Sequence, residues 1–126
     1  MALKFMGDFS IKKGTNTPAV NFTASSTTLV ICGKSYPENA GEFYDEVFNK
    51  INPFTNSKSF TFELDFEYLS SSSVVCVLEK LKNLKAKFPT TNFLIKFHYE
   101  SDDEDMLSVA ENYEKFSGIK VELVVK

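Results

Sequence analysis

The chain of 126 residues has no tryptophan, one histidine and two cysteines, and its five glycines are scattered singly. Cys32 and Cys76 stand in apolar surroundings, which predicts reduced, buried thiols rather than a disulfide framework or a zinc site. Single glycines do not form a glycine-rich phosphate-binding loop. His98 alone cannot complete a catalytic triad. We therefore expect neither nucleotide hydrolysis nor nucleophilic catalysis, and we predict no catalytic residues.

Long apolar runs are also missing, and no segment approaches the roughly 20 residues that a membrane-spanning helix needs. The segment from Met1 to Gly7 lacks the apolar region and cleavage site of a signal peptide. The net charge of −3 is spread over mixed lysine and glutamate, without a basic stripe for nucleic acid. Together these absences predict a cytoplasmic protein that binds neither nucleic acid nor membrane.

The length fits one domain, residues 1–126, that can bury a core without disulfides. Two apolar runs, residues 17–22 and 28–33, predict a hairpin. Alternating apolar positions then predict strands, and apolar residues three and four apart predict helices. The predicted order is strand, strand, helix, strand, helix, strand, helix, strand. After the hairpin, Tyr36-Pro37-Glu38-Asn39 opens a helix that runs to about Ile51 and is ended by Asn52-Pro53. The segments that follow are a strand over 60–68, a helix over 74–88, a strand over 93–99, a helix opened by 102–105 and ended by Gly118, and a strand over 119–125.

Helices that alternate with strands indicate crossover connections, and hence an α/β fold with a mixed, largely parallel sheet. The strands are apolar at every second position only. In the third predicted strand the apolar side chains run from Phe60 to Tyr68, with charged or polar residues between them. Because only one side of such a strand is buried, we predict that the three helices lie mainly on one face of the sheet.

Four consecutive serines, Ser70 to Ser73, stand where this strand pattern ends and the next helix begins. Serine is a favoured N-cap because its oxygen accepts a bond from an unpaired amide of the first turn. One serine is enough for that role. The other hydroxyls lie beside the positive end of the helix dipole, where an added phosphate would be stabilised. The run is therefore open to two interpretations, a phosphorylation switch and simple helix capping.

The acidic run from Asp102 to Asp105 is the remaining candidate for a metal site. It lacks the spacing and the glycine of a calcium loop. Carboxylates are also favoured in a first helical turn by the dipole alone. We predict no metal and no cofactor, and a metal-dependent enzyme is the least favoured of the alternatives.

Several segments in order make the chain resemble the SiaC-type bacterial regulatory phosphoproteins. The pentapeptide Ser-Tyr-Pro-Glu-Asn at the start of a helix is the most specific of them, and the resemblance covers nearly the whole chain. The matching segments are Thr17-Pro18-Ala19-Val20, Gly33-Lys34-Ser35-Tyr36-Pro37-Glu38-Asn39-Ala40, the serine run followed by Val74-Val75-Cys76, and Asp102-Asp103-Glu104-Asp105-Met106.

The resemblance implies a STAS-like fold, as in anti-sigma-factor antagonists, and a regulatory role without enzymatic activity. Members of the family are phosphorylated by a partner serine/threonine kinase and restored by a metal-dependent protein phosphatase. Their unphosphorylated form binds and activates a diguanylate cyclase, which makes cyclic di-GMP. The family's acceptor is a threonine in an Asn-Thr-Ser-Ser pattern. Alignment places Ser71 on that threonine and Ser70 on the asparagine, while Val75 replaces a lysine; Ser70, Ser72 and Ser73 are alternative acceptors.

The predicted sheet also indicates where a partner could bind. Consecutive parallel strands bring their following loops to one edge of the sheet, so two loops should share that edge. The predicted surface comprises Ser35, Tyr36, Pro37, Glu38, Asn39, Ser70, Ser71 and Ser72. The alternative is that Tyr36 and Pro37 only start the first helix. The alternative to a phosphorylation-regulated protein is a constitutive STAS-like adaptor, which binds its partner whatever its phosphorylation state.

Overall fold

The computed structural model describes residues 7–126. Residues 1–6, which form most of the segment where we predict no signal peptide, lie outside the described residues. Six strands and three α-helices follow one another, and a short 3-10 helix, Ala24–Ser26, joins the second and third strands. Across residues 7–126, no helix has the length and apolar character needed to cross a membrane. The elements are β1 Phe9–Ile11, β2 Ala19–Thr23, β3 Thr28–Ser35, α1 Ala40–Thr55, β4 Ser59–Leu69, α2 Ser71–Lys87, β5 Asn92–Tyr99, α3 Glu104–Ser117 and β6 Lys120–Val125.

The strands form one sheet in the order of the sequence, from β1 to β6. The pairs β1–β2 and β2–β3 are antiparallel, whereas β3, β4, β5 and β6 run parallel. The parallel part therefore grows in one direction. Because crossovers between parallel strands are right-handed, a sheet that grows in one direction carries all its helices on the same face. The helices α1, α2 and α3 accordingly pack side by side in one layer.

The core lies between this helical layer and one face of the sheet. On β4 the side chains of Phe60, Phe62, Leu64 and Phe66 are buried, and the residues between them face the other side. The ring of Phe62 stacks on Phe48 of α1 at 5.9 Å and on Phe93 of β5 at 6.1 Å. The predicted α/β class, with a mixed sheet and three helices on one face, is confirmed.

The opposite face of the sheet is polar and partly open. His98 Nε2 lies 2.8 Å from Glu63 Oε1, and Lys126 pairs with Asp65. Cys32 also lies on this face and is exposed, so the prediction of a buried thiol is wrong for this residue. The reason is the strand alternation, which directs Cys32 away from the buried Ile31 next to it. Cys76 is half-buried against the core.

Helix α1 differs from its predicted bounds at both ends. It begins at Ala40 rather than Pro37 because Asn39 is its N-cap, with Oδ1 accepting from the Glu42 amide at 3.0 Å. It continues to Thr55 with Pro53 inside. A proline removes one helical hydrogen bond, and in the last turn this loss is small enough to be tolerated. Strand β1 was not predicted because three residues are too few to show alternation.

A β-bulge lies near the ends of β3 and β4. Gly33 pairs with Phe66, but the next residue, Lys34, pairs with Tyr68, so Glu67 is the extra residue. The period-two pattern predicted an inward Tyr68. The bulge shifts the alternation and leaves its side chain 52% exposed. Gly33 has φ +114°, a conformation that disfavours any residue with a Cβ.

The stacked phenylalanines predict where the free energy of unfolding is most sensitive. We expect Phe62→Ala to lower it by about 3–5 kcal/mol, because the cavity would lie at the centre of the core. The matched control is Thr61→Ala on the open face of the same strand, with an expected change of about 0.5 kcal/mol or less. Urea denaturation followed by circular dichroism measures both. Equal losses in the two variants would contradict a core confined to one face.

Candidate functional site

The serine run forms the start of α2, with Ser70 as the N-cap. Its Oγ accepts a hydrogen bond from the Ser73 amide at 3.2 Å, and its carbonyl accepts from the Val74 amide at 2.9 Å. Its backbone adopts the extended conformation (φ −66°, ψ 158°) that an N-cap requires. One serine of the four therefore supplies the cap.

A chain of buried hydroxyls runs inward from this cap. Ser70 Oγ donates to Ser73 Oγ at 3.0 Å. Ser73 Oγ lies 2.9 Å from Ser35 Oγ, and Ser35 Oγ lies 2.6 Å from the Tyr44 hydroxyl. Ser35, Ser73 and Tyr44 are fully buried. The chain links α2, β3 and α1 beneath the surface. A buried hydroxyl without a hydrogen-bond partner would destabilise the fold, and in this chain each buried hydroxyl has a neighbouring hydroxyl as its partner.

Two buried tyrosines anchor the first turn of α2. Burial raises the pKa of Tyr44 to about 12, so its hydroxyl stays protonated and keeps a proton for the chain. Burial likewise raises the pKa of Tyr113, and its hydroxyl donates to the Val74 carbonyl at 2.9 Å. Tyr44 comes from α1 and Tyr113 from α3. Both neighbouring helices therefore hold the start of α2 in place.

The remaining two serines, Ser71 and Ser72, are the first residues of α2 and are exposed. Their amides belong to the first turn, where no carbonyl of the helix can accept them. The first turn of α2 contains no acidic residue, whereas α1 has Glu42 there and α3 has Glu104 and Asp105. The positive end of the α2 dipole therefore has no compensating charge of its own.

The loop after β3 lies beside the serine run, as predicted. The Ser70 amide donates to the Ser35 carbonyl at 2.9 Å, which joins the two strand ends. Of the predicted partner-binding residues in this loop, Ser35 is buried and Pro37 is half-buried. The other three are exposed: Tyr36, Glu38 and Asn39. The side chain of Ser35 thus supports the surface from below rather than forming part of it.

Exposed apolar side chains flank the serine run. Tyr36 is 42% exposed and Tyr68 52%, and their rings meet edge to face at 5.8 Å. The Tyr36 hydroxyl donates to the Thr15 carbonyl at 3.0 Å, which ties the ring to the segment before β2. Val75, on the first turns of α2, is 57% exposed. Sequence reasoning missed Tyr68 because the bulge is not visible in the alternation.

An acidic groove extends the site toward α3. A cavity of about 210 Å³ opens between the end of β4 and the start of α3, and both apolar side chains and carboxylates line it. Among residues 7–126, no group of three or more histidine, cysteine, aspartate or glutamate side chains is arranged to hold a metal ion. The residues lining the cavity are Glu67, Tyr68, Leu69, Asp103, Asp105, Met106 and Val109.

Three comparisons with known proteins bear on this arrangement. The sequence model of the SiaC family regulatory phosphoproteins matches residues 11–126. An uncharacterized protein of Pseudomonas aeruginosa strain UCBPP-PA14 is 28% identical over 111 residues, which are 86% of this chain and 88% of that protein.

Two solved structures share the fold. One is a chain in the crystal structure of the diguanylate cyclase SiaD in complex with its activator SiaC from Pseudomonas aeruginosa. The TM-score is 0.79 and the sequence identity 21%, and the match covers 94% of this chain and all of that one. The other is apo-SiaC from the same organism, with a TM-score of 0.74, 23% identity and coverage of 94% and 98%. The family model spans almost the whole chain, and the fold agrees with it. The protein described here belongs to the SiaC family of regulatory phosphoproteins.

Proposed function

We propose that this chain is a non-enzymatic regulatory phosphoprotein. In this proposal Ser71 is phosphorylated, and the unphosphorylated form binds and activates a diguanylate cyclase. A serine/threonine kinase and a metal-dependent protein phosphatase set the balance between the two forms. The observation that carries the proposal is the pair of exposed serines at the start of α2, beside an exposed pair of tyrosines.

The positions of the four serines favour Ser71, with Ser72 as the alternative acceptor. Ser73 is buried and Ser70 holds the N-cap, so phosphorylation of either would require the first turn of α2 to open. Ser71 and Ser72 project from the surface without that cost. A phosphate there would accept the unpaired amides of the first turn and complement the dipole. Because the first turn of α2 has no acidic residue, no carboxylate of that turn would repel a phosphate bound there.

The exposed tyrosines support partner binding at this place. Aromatic side chains bury large areas at low entropic cost and are frequent hot spots of protein interfaces. A phosphate on Ser71 would add about −1.5 to −2 charges only three residues from Tyr68. Docking a partner would then require this charge to be stripped of water, which is costly without a matching cation. Phosphorylation thereby weakens binding.

The diguanylate cyclase as partner rests on likeness to SiaC. That protein is the activator of the cyclase SiaD in a crystal structure, and a chain of that complex has the same fold as the present chain. The regulatory role is supported by membership of the SiaC family of regulatory phosphoproteins. His98, the single histidine of the chain, pairs with Glu63 on the open face of the sheet, whereas the serine run starts α2 after the end of β4.

The first prediction of this proposal concerns the residue that accepts the phosphate. Protein isolated from its native cells should carry one phosphate within the peptide that contains the serine run, and Ser71→Ala should remove it. Intact-mass and fragment mass spectrometry measure both. Ser72→Ala is the matched control, because it deletes the neighbouring exposed hydroxyl and should leave the phosphate in place. Loss in Ser72→Ala alone would move the acceptor by one residue, and no phosphate under any growth condition would favour the constitutive adaptor.

The second prediction separates the structural serines from the acceptor. Ser73→Ala should lower the free energy of unfolding by about 1–3 kcal/mol, because it breaks the buried hydroxyl chain and leaves Ser35 without one partner. Ser71→Ala should change it by about 0.5 kcal/mol or less, since its side chain is exposed. Chemical denaturation of the two variants gives the comparison. A loss in Ser71→Ala as large as that in Ser73→Ala would contradict this division of roles.

The third prediction tests the tyrosine pair. Tyr68→Ala should weaken binding to the diguanylate cyclase of the source organism by about 10- to 100-fold, as expected of an aromatic hot spot. Isothermal titration measures the affinity, and cyclase turnover measures activation. Phe116→Ala on α3 is a control of similar exposure outside the proposed surface. Unchanged affinity in Tyr68→Ala, or equal loss in both variants, would count against this surface.

A further inference from the structure

The outer edge of β6 offers backbone groups that the described chain does not use. β6 is the last strand of the sheet and pairs with β5 alone. The Lys126 amide donates to the Tyr99 carbonyl at 2.9 Å, so even-numbered residues of β6 turn their backbone groups toward β5. Backbone direction alternates along a strand, and the odd-numbered residues therefore point their N–H and C=O groups outward.

One of these outward groups is already satisfied within the chain. The Val121 amide donates to Glu114 Oε1 of α3 at 2.9 Å, which closes the first part of the edge. Among residues 7–126, no acceptor is found for the outward amides of Leu123 and Val125. Free strand edges of this kind are templates for pairing with another strand.

The side chains at the same place are apolar and exposed. Leu123 is 45% exposed and Val125 56%. They pair with Phe97 and Tyr99 of β5, so they lie on the helical face of the sheet, where α3 leaves them about half exposed. Natural edge strands are commonly protected by charges, and here the charges lie only at Glu122 and at the ends of the strand.

We propose that β6 pairs in antiparallel orientation with β6 of a second copy, so that two sheets join into one of twelve strands. In the register that we propose, Leu123 lies opposite Val125 of the second copy, and Val124 lies opposite itself on the two-fold axis. The backbone N–H and C=O groups of Leu123 and Val125 both point away from β5, so these two residues form a hydrogen-bonded pair on each side of the axis.

Charge and backbone occupancy favour this register over the neighbouring one in which Leu123 lies opposite itself. It places Glu122 opposite Lys126 of the second copy, whose ammonium group also pairs with Asp65 of its own chain, and this attractive arrangement occurs twice by symmetry. The neighbouring register, with Leu123 opposite itself, would place Lys120 opposite Lys126 and would require the Val121 amide that Glu114 already accepts. Like charges directly opposite each other are destabilising. The proposed dimer lies on the lateral edge of the sheet and is independent of the proposed function.

Cysteine cross-linking tests both the dimer and its register. In a background of Cys32→Ser and Cys76→Ser, Val124→Cys should form a disulfide between two copies under mild oxidation. The Cα atoms of a directly opposed, non-hydrogen-bonded pair lie about 4.5 Å apart, within disulfide range. Glu122→Cys is the matched control on the same face of the same strand. Its two copies would be about 13 Å apart in this register and should not cross-link.

Sedimentation velocity on the unsubstituted chain provides an independent readout. We expect a monomer–dimer equilibrium, which Glu122→Lys should shift toward monomer by about tenfold in Kd, because lysines would then face each other. Thermal melts of each variant check that it is folded. A chain that is monomeric at the highest concentration reached, or equal cross-linking by Glu122→Cys and Val124→Cys, would overturn the proposal.

Discussion

The structure depends on the direction in which its parallel strands are added. Each strand from β3 to β6 joins the same side of the growing sheet, and the right-handed crossovers then place α1, α2 and α3 on one face. This single layer explains why the inner strands β2 to β5 are buried on one side only. It also brings the carboxyl ends of β3, β4 and β5 to one edge. The loop before α1, the serine run before α2 and the acidic start of α3 follow these strand ends.

The start of α2 shows how one short run of identical residues acquires different roles. Ser70 caps the helix and Ser73 enters the buried hydroxyl chain to Ser35 and Tyr44, whereas Ser71 and Ser72 remain at the surface. The helical period alone produces this division, because successive residues rotate by about 100° around the axis. Hydrogen bonds hold Ser70 and Ser73 within the turn, whereas the hydroxyls of Ser71 and Ser72 lie at the surface, with Ser72 Oγ 3.3 Å from Ser70 Oγ. A modification at the surface would therefore not need to disturb the core.

The two surfaces that we propose as interfaces lie at different places on the sheet. The serine run and the tyrosine pair lie at the ends of the strands, while the exposed backbone of β6 lies along its side. A dimer formed through β6 would leave the strand ends accessible. It would present two copies of the serine surface related by a two-fold axis, which suits a partner that is itself a symmetric dimer. Substitutions at Tyr68 and at Glu122 would therefore test the two surfaces separately.

Sequence periodicity by itself determined much of this protein. The alternation on β4, the helical spacing of α2 and α3, and Gly118 at the end of α3 specify the element order and the one-sided core, because burial imposes a period of 2 on strands and 3.6 on helices. The serine run identified the candidate site. Tertiary structure decided the rest: the bulge that exposes Tyr68, the exposure of Cys32, the extension of α1 through Pro53, and the burial of Ser35 and Ser73. These features depend on which residues lie opposite one another across the sheet and beneath the helices, and such contacts between distant segments leave no local pattern in the sequence.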